Sequence, residues 1–177
     1  SSPRRQRQMC IRDSIYNFNM TPLHEVIINN KTTINPVWIM RQAGRYLPEF
    51  REIRKENSNF IELCLNHKLS SEITLQPIKR FDLDAAIIFS DILMLPYGLN
   101  QKVEFKKNFG PTLGNLDIKS MSKIDEIDFV EKIYPVYKAI KSVSLEMNSK
   151  NKNTIGFVGA PWTLLVYMIN QQSPKKN

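Results

Sequence analysis

Three apolar runs in this 177-residue chain are each followed by side chains that could do chemistry. Arg41 and Arg45 follow the first run, Asp91 follows the second, and an Ala-Pro-Trp-Thr sequence leading to Tyr167 follows the third. In parallel barrels and doubly wound sheets, active sites lie at the carboxyl ends of the strands. If the three runs are strands, we expect these groups to converge on one mouth.

The arginine pair is suited to binding several carboxylates. A guanidinium stays charged, binds a carboxylate as a bidentate fork, and loses less conformational freedom per bond than lysine does. Gly44 lies beside Arg45 and permits a backbone conformation that would let both arginines aim into one space. The alternative is that the arginines only pair with Glu49 or Glu52 on the following helix. The spacing leaves both interpretations open.

Asp91 directly follows a fully apolar run. Burying a lone carboxylate is costly unless hydrogen-bond donors surround it, so only a few roles are compatible with an aspartate in this position. One interpretation is that it caps the next helix. The other is that it faces the mouth, accepts N–H bonds and stabilises positive charge that develops nearby.

The elements that would position these groups indicate an α/β fold, because short apolar runs alternate with amphipathic stretches. Buried parallel strands are predicted at residues 36–40, 85–89 and 155–159. Val103 and Phe105 alternate with polar residues, which indicates a half-exposed strand or hairpin arm.

Helical periodicity is found on the sequence between these strands. Residues 48–56 predict a charged helix with Phe50 and Ile53 inward, and residues 133–147 predict a longer one. Asn59 and Glu62 form the pattern of a capping box at the start of a further helix. Pro77 is expected to kink or end the helix that contains it.

Composition, at 42% hydrophobic and 24% charged residues, is typical of a globular protein. Because no run approaches the roughly 20 apolar residues that span a bilayer and no signal-peptide core is present, a soluble cytoplasmic protein without a membrane partner is expected. Cys10 and Cys64 have no metal-ligand spacing, so neither a disulfide framework nor a metal site is expected. Cys64 is interpreted as a core residue.

The net charge of +8 would suit a nucleic-acid partner. However, residues 1–19 hold four arginines and one aspartate, and they resemble a translated cloning adaptor before a native start at Met20. An organellar transit peptide is the alternative interpretation. The lysines elsewhere are dispersed and not clustered with aromatic residues, so no nucleic-acid partner is expected. A basic, non-enzymatic binding module remains the alternative that the charge supports.

Three strings resemble the signatures of the uroporphyrinogen decarboxylase family, in the family's order: PVWIMRQAGRYLPEF at 36–50, AAIIFSDIL at 85–93 and GFVGAPWTL at 156–164. The resemblance covers about residues 20–169. It implies a (β/α)8 barrel, usually a homodimer, that removes carbon dioxide from four acetate side chains of uroporphyrinogen III to give coproporphyrinogen III in haem synthesis. It implies no cofactor and no metal, because a protonated pyrrole ring of the substrate accepts the electrons.

The resemblance also implies roles for individual residues. A substrate-binding segment, whose arginines hold acetate and propionate carboxylates, corresponds to Arg41, Gln42, Ala43, Gly44 and Arg45. Asp91 corresponds to the aspartate that binds the central pyrrole N–H groups and stabilises the cationic intermediate, so its charge should persist at the working pH. Tyr167 corresponds to a tyrosine that lines the pocket. Arg41, bound to a substrate carboxylate, is one candidate for delivering the proton.

The chain departs from the family pattern at its end. A barrel of this kind needs roughly 250 residues, so we expect residues 20–177 to form the N-terminal half of a (β/α)8 TIM barrel, incomplete in this chain. The family's later serine and histidine are missing, and neither His24 nor His67 matches that histidine. This chain alone is therefore expected to be inactive. A corrinoid-dependent methyltransferase-like barrel of the same superfamily, with zinc ligands late in the chain, is the alternative.

Overall fold

A computed structural model describes residues 20–106 and 109–173, so the predicted extension at 1–19 lies outside the described residues. The helices are α1 (Pro22–Asn29), α2 (Pro48–Glu56), α3 (Phe60–Leu65), α4 (His67–Phe81), α5 (Met94–Gly98), α6 (Ile118–Met121), α7 (Glu126–Ser149) and α8 (Pro161–Asn170). The strands are β1 (Ala85–Ile87), β2 (Val103–Lys106), β3 (Gly110–Leu113) and β4 (Asn153–Ile155).

Two small sheets confirm the mixed α/β class. β1 and β4 are parallel, with Ala85 opposite Asn153 and Ile87 opposite Ile155, and the chain between them crosses over through α5, the hairpin and α7. β2 and β3 form the antiparallel hairpin that Val103 and Phe105 predict. No sheet closes on itself within the described residues.

The core of the crossover unit packs α4 and α7 against β1. Its buried residues are Leu75, Ile78, Leu83, Ala86, Ile88, Val143 and Met147. Burying each large aliphatic side chain contributes about 1.5–3 kcal/mol, so this cluster fixes the strand that leads to Asp91. A second cluster, centred on α3, α5, the hairpin and α8, contains Ile61, Cys64, Leu93, Met94, Val103, Leu113, Leu164 and Met168.

The helix predictions are largely confirmed. The Asn59 side chain accepts from the backbone N–H groups of Ile61 and Glu62, which confirms Asn59 as the N-cap of α3. The Glu62 side chain bonds back to the Asn59 side-chain amide at 2.8 Å, rather than to the backbone N–H as in a full capping box. α2 buries Phe50 as expected, and α7 contains the whole 133–147 pattern.

Pro77 was expected to kink or end its helix, and it does not end it, because α4 continues to Phe81. A proline costs the helix one hydrogen bond and strains the preceding turn. Pro77 is fully buried, and the contacts of α4 with α7 and β1 offset that cost.

The predicted strand at 36–40 does not form in the described structure. This segment is irregular, and the side chains of residues 37–40 are 40–74% exposed rather than covered on both faces. Its contact with the sheet is at Asp84, whose N–H donates to the Val37 carbonyl at 2.9 Å and whose Oδ2 accepts from the Val37 N–H at 2.7 Å. A parallel strand needs cover on both faces, which these side chains do not have here.

The third predicted strand, at 155–159, is displaced. β4 begins two residues earlier and ends at Ile155, and the rest of the predicted strand is irregular, with Val158 90% exposed. The pairing with β1 sets this boundary, because Asn153 lies opposite the first residue of β1 and Ile155 opposite its last.

Candidate active site

Asp91 lies where two cavities of the described structure meet. The larger, about 660 Å³, is lined on one side by Arg41, Gln42 and Ala43 and on the other by the end of β1 and Asp91. The smaller, about 510 Å³, is lined almost wholly by apolar side chains of α7 and the segment after β4, with Asp91 at its polar end. Asp91 therefore borders both cavities, and the larger one also contains Arg41 and Gln42.

Asp91 begins the turn that leads into α5. Its Oδ1 accepts from the Leu93 N–H at 2.8 Å, and its carbonyl accepts from the Met94 N–H at 3.1 Å. Burial raises the pKa of Asp91, and the hydrogen bond from Leu93 opposes that rise. The interpretation of Asp91 as a helix cap is wrong, because the N-cap of α5 is Leu93 and no side-chain hydrogen bond caps this helix. Asp91 instead closes the turn before α5 and borders both cavities.

The chain just before Asp91 is fixed by two hydroxyl groups of α4. Thr74 Oγ1 accepts from the Phe89 N–H at 2.8 Å, and Ser70 Oγ donates to the Phe89 carbonyl at 2.7 Å. Neither residue was predicted from the sequence. No local pattern marks them, because their partner Phe89 lies 15 or more positions away.

The two arginines are placed differently. Arg41 lines the larger cavity, whereas Arg45 lines neither of the two cavities that Asp91 borders, and its carbonyl accepts from Arg51 Nη1 at 2.9 Å. Glu49 pairs with Arg80 at 2.5 Å rather than with either arginine. Within the described residues neither Arg41 nor Arg45 forms an ion pair, so the simple pairing alternative is not realised there.

Gln42 holds the arginine segment, residues 36–45, to the sheet. Its buried side chain donates to the Ala85 carbonyl at 3.1 Å and accepts from the Ile39 N–H at 3.4 Å. Its amide is therefore occupied by the fold, although the residue borders the larger cavity beside Ala43.

The expectation that Gly44 supplies a backbone conformation forbidden to other residues is wrong. Gly44 does not adopt the left-handed conformation, and an added Cβ would meet only Tyr46 at ordinary contact distance, 3.8 Å. Its carbonyl accepts from the Leu47 N–H at 3.0 Å, so it is the first residue of a turn, where any residue fits.

Tyr167 lies on α8 as predicted, but it lines neither of the two cavities that Asp91 borders. Its ring packs against the second core cluster, and its hydroxyl donates to Ser173 Oγ at 3.2 Å. Leu164, one turn earlier, is the α8 residue that reaches the smaller cavity. Arg41, Gln42 and Ala43 thus share a cavity with Asp91, whereas Arg45 and Tyr167 do not line it.

Cys64 has a structural role. Cys64 is completely buried, and burial together with the nearby charge of Asp91 raises the pKa of its thiol to about 12, which confirms its interpretation as a core residue. Across residues 20–106 and 109–173, no three His, Cys, Asp or Glu side chains are grouped to hold a metal ion. In the same part of the chain, no helix has the length and apolarity to cross a membrane.

β1 and β4 form a parallel pair joined by a helical crossover, and Arg41 and Asp91 line one cavity near the end of β1. This arrangement is typical of α/β proteins whose site lies at the carboxyl ends of the strands. The chain belongs to the uroporphyrinogen decarboxylase family, since the family model described as "Uroporphyrinogen decarboxylase (URO-D)" matches residues 19–176.

Curated relatives named uroporphyrinogen decarboxylase agree with this. The chain is 46% identical to the one from Agrobacterium fabrum over 144 residues, 81% of this chain and 42% of the relative. It is 48% identical to that of Rickettsia bellii over 134 residues (76% and 39%) and 45% identical to that of Campylobacter jejuni over 146 residues (81% and 43%). The chain thus spans about two fifths of the length of these relatives.

Proposed function

We propose that the full-length protein containing this chain converts uroporphyrinogen III to coproporphyrinogen III by removing four carboxyl groups as carbon dioxide. The observation that carries the proposal is that Arg41 and Asp91, 50 positions apart in the sequence, border one cavity in a chain of this family. An arginine and a partly buried carboxylate that line one cavity suit a substrate that has carboxylates at its edge and N–H groups at its centre.

In the proposed reaction the arginines bind the acetate and propionate carboxylates. Protonation of a pyrrole carbon makes the ring cationic, and the electrons of the breaking carbon–carbon bond enter the ring as carbon dioxide leaves. A proton then completes the methyl group, and the ring carbon loses the proton that it first gained, which restores the pyrrole. Asp91 stabilises the cationic ring. Arg41 is one candidate for the proton donor, and Tyr167 is proposed to line the completed pocket.

Because the pKa of Asp91 is raised, we propose that the bound substrate helps to keep this carboxylate charged. Burial disfavours the charged carboxylate, and among residues 20–106 and 109–173 only the Leu93 N–H donates to it. Pyrrole N–H groups would supply the additional donors that keep the carboxylate charged. Substrate binding and ionisation of Asp91 are therefore expected to favour each other.

We further propose that the described residues are the N-terminal half of a (β/α)8 barrel. The parallel pairing of β1 with β4 supports this, as do the exposed apolar side chains at both ends of the pair, Ile39 and Met40 on one side and Val158 on the other. A homodimer, a cytoplasmic location and a non-native origin of residues 1–19 belong to the same proposal. The reaction as written needs no cofactor, because the substrate is its own electron sink.

An assay of two proteins tests this proposal. The full-length protein and this chain are each incubated with uroporphyrinogen III under reducing, anaerobic conditions, and the oxidised products are separated by their number of carboxylates. We expect four-carboxylate product from the full-length protein and none from this chain. Absence of product from the full-length protein would overturn the decarboxylase proposal, and turnover by this chain would overturn the expectation that it is inactive.

A further inference from the structure

Phe89 has both of its backbone hydrogen-bonding groups occupied by side chains of α4. Its N–H donates to Thr74 Oγ1 and its carbonyl accepts from Ser70 Oγ, at 2.8 and 2.7 Å. One residue earlier, the Ile88 N–H still donates to the Ile155 carbonyl of β4 at 3.0 Å. The backbone therefore passes from strand pairing to side-chain pairing between Ile88 and Phe89.

The two hydroxyl groups are themselves rigidly placed. Ser70 and Thr74 are 1% and 0% exposed, and Thr74 Oγ1 also donates to the Ser70 carbonyl at 2.7 Å. The Thr74 hydroxyl hydrogen is thus used within α4, which leaves its oxygen to accept from Phe89. The Phe89 ring packs edge-on against Phe50 and Phe60 at 5.8 and 5.7 Å between centroids, so side chain and backbone are both held.

Only Ser90 separates this fixed residue from Asp91. On the far side of Asp91 the hydrogen bond from Leu93 closes the turn. Asp91 is therefore held between two anchors, one provided by α4 and one by the start of α5. We propose that Thr74, assisted by Ser70, is a positioning residue that sets the place of Asp91. This inference rests on the proposed function for its catalytic consequence, although the hydrogen bonds do not depend on it.

Thr74→Val is the informative substitution, because it removes the acceptor and nearly preserves the shape. The buried Phe89 N–H then has no partner, and the strand end must move to find one. Displacements of about 1 Å at a reacting group can cost about 100-fold in rate. In the full-length protein we expect kcat to fall about tenfold or more, and KM to rise by a smaller factor because Asp91 is displaced while the arginines that bind the carboxylates are untouched.

Two comparison variants separate positioning from packing. Thr74→Ser restores an acceptor and is expected to recover kcat to within about threefold of the unmodified protein. Ser71→Ala removes a hydroxyl of the same helix that donates to the His67 carbonyl at 2.7 Å, and it is expected to leave kcat unchanged. Equal kcat values in Thr74→Val and Ser71→Ala, or no recovery in Thr74→Ser, would overturn the proposal.

A second measurement reports on the hydrogen bond itself in this chain. In Thr74→Val, amide exchange at Phe89 is expected to become about tenfold faster or more, whereas exchange at Ile88 should change little because its partner is Ile155. Unchanged exchange at Phe89 would show that Thr74 does not hold this residue. If the unmodified full-length protein makes no coproporphyrinogen, the proposed function fails, while the exchange result still decides the anchoring by Thr74.

Discussion

The Asp91 turn and the arginine segment, here residues 36–45, border the same cavity but are held in opposite ways. Around the turn, Ile88, Leu93 and Met94 are buried, and the preceding backbone is bonded to α4. In the arginine segment, residues 37–40 are exposed. Two hydrogen bonds join the segment to the start of β1, one from the Val37 N–H to Asp84 and one from the Gln42 side chain to the Ala85 carbonyl. The aspartate is positioned by core packing and the arginines by a few polar contacts, so different kinds of substitution should disturb each.

Core truncation beside Asp91 should have the largest effect on stability. Leu93→Ala empties a position that is 1% exposed in the second core cluster, and we expect it to lower the free energy of unfolding of this chain by about 2–5 kcal/mol. Leu145→Ala, at a position 64% exposed on α7, should change it by less than about 0.5 kcal/mol. Urea unfolding measures both. Similar values for the two variants would contradict the claim that packing holds the Asp91 turn.

Removing the charge of Asp91 should have the next largest effect, and on turnover rather than folding. Asp91→Asn keeps an acceptor for the Leu93 N–H but loses the charge that stabilises the cationic ring, so kcat of the full-length protein should fall about 100-fold or more. Asp117→Asn, which alters an exposed carboxylate that caps α6, is the control and should retain full activity. Full activity of Asp91→Asn would refute the role assigned to the carboxylate.

The same variant should change how stability depends on pH. Burial raises the pKa of folded Asp91 above its unfolded value, so its contribution is fully present below the unfolded pKa and is lost as pH rises through the folded pKa. Asp91→Asn cannot ionise and escapes that loss. The free energy of unfolding of the variant relative to the unmodified chain should therefore rise from about pH 3 toward neutrality. A difference that stays constant or falls would contradict the raised pKa.

A polar substitution should disturb the arginine segment more gently. Asp84→Ala removes the acceptor of the Val37 N–H, and hydrogen bonds to charged groups contribute about 1.5–3 kcal/mol. Because this site is partly exposed, we expect the low end of that range, seen as amide exchange at Val37 about tenfold faster, with exchange at Leu93 unchanged. Glu146→Ala, which removes the partner of Lys150 on the surface of α7, is the control. Equal acceleration at Val37 and Leu93 would mean that the two regions are not held independently.

The parts of the fold that the sequence predicts well are those with local signals. Three such features are the Asn59 cap of α3, the inward Phe50 of α2 and the periodicity of α7. Each depends on residues within a few positions of one another. The class of fold follows from the same patterns. Asp91 lies at a cavity after an apolar run whose first part, Ala85–Ile87, forms β1, two residues shorter than the predicted strand at 85–89.

What could not be predicted depends on distant parts of the chain. Strand formation at 36–40 requires cover from elements far away in sequence, and the bounds of β4 depend on its register with β1. The hydrogen bonds of Ser70 and Thr74 to Phe89 cross 15 or more residues and leave no local pattern. The direction of Tyr167 depends on the rotation of α8 on the core, which the tyrosine's position on the helix does not fix.

The smallest expected effect concerns the glycine that the sequence analysis assigned a special conformation. Gly44→Ala should leave the stability of this chain unchanged or raise it by up to about 1 kcal/mol, because Gly44 is not left-handed and the unfolded chain loses freedom. Gly110 has φ of +79°, so Gly110→Ala should instead cost about 1–2 kcal/mol. Urea unfolding of the two variants makes the comparison. A loss at Gly44 as large as that at Gly110 would mean that the arginine segment adopts a different, left-handed turn in solution, and that its few polar contacts do not define its conformation.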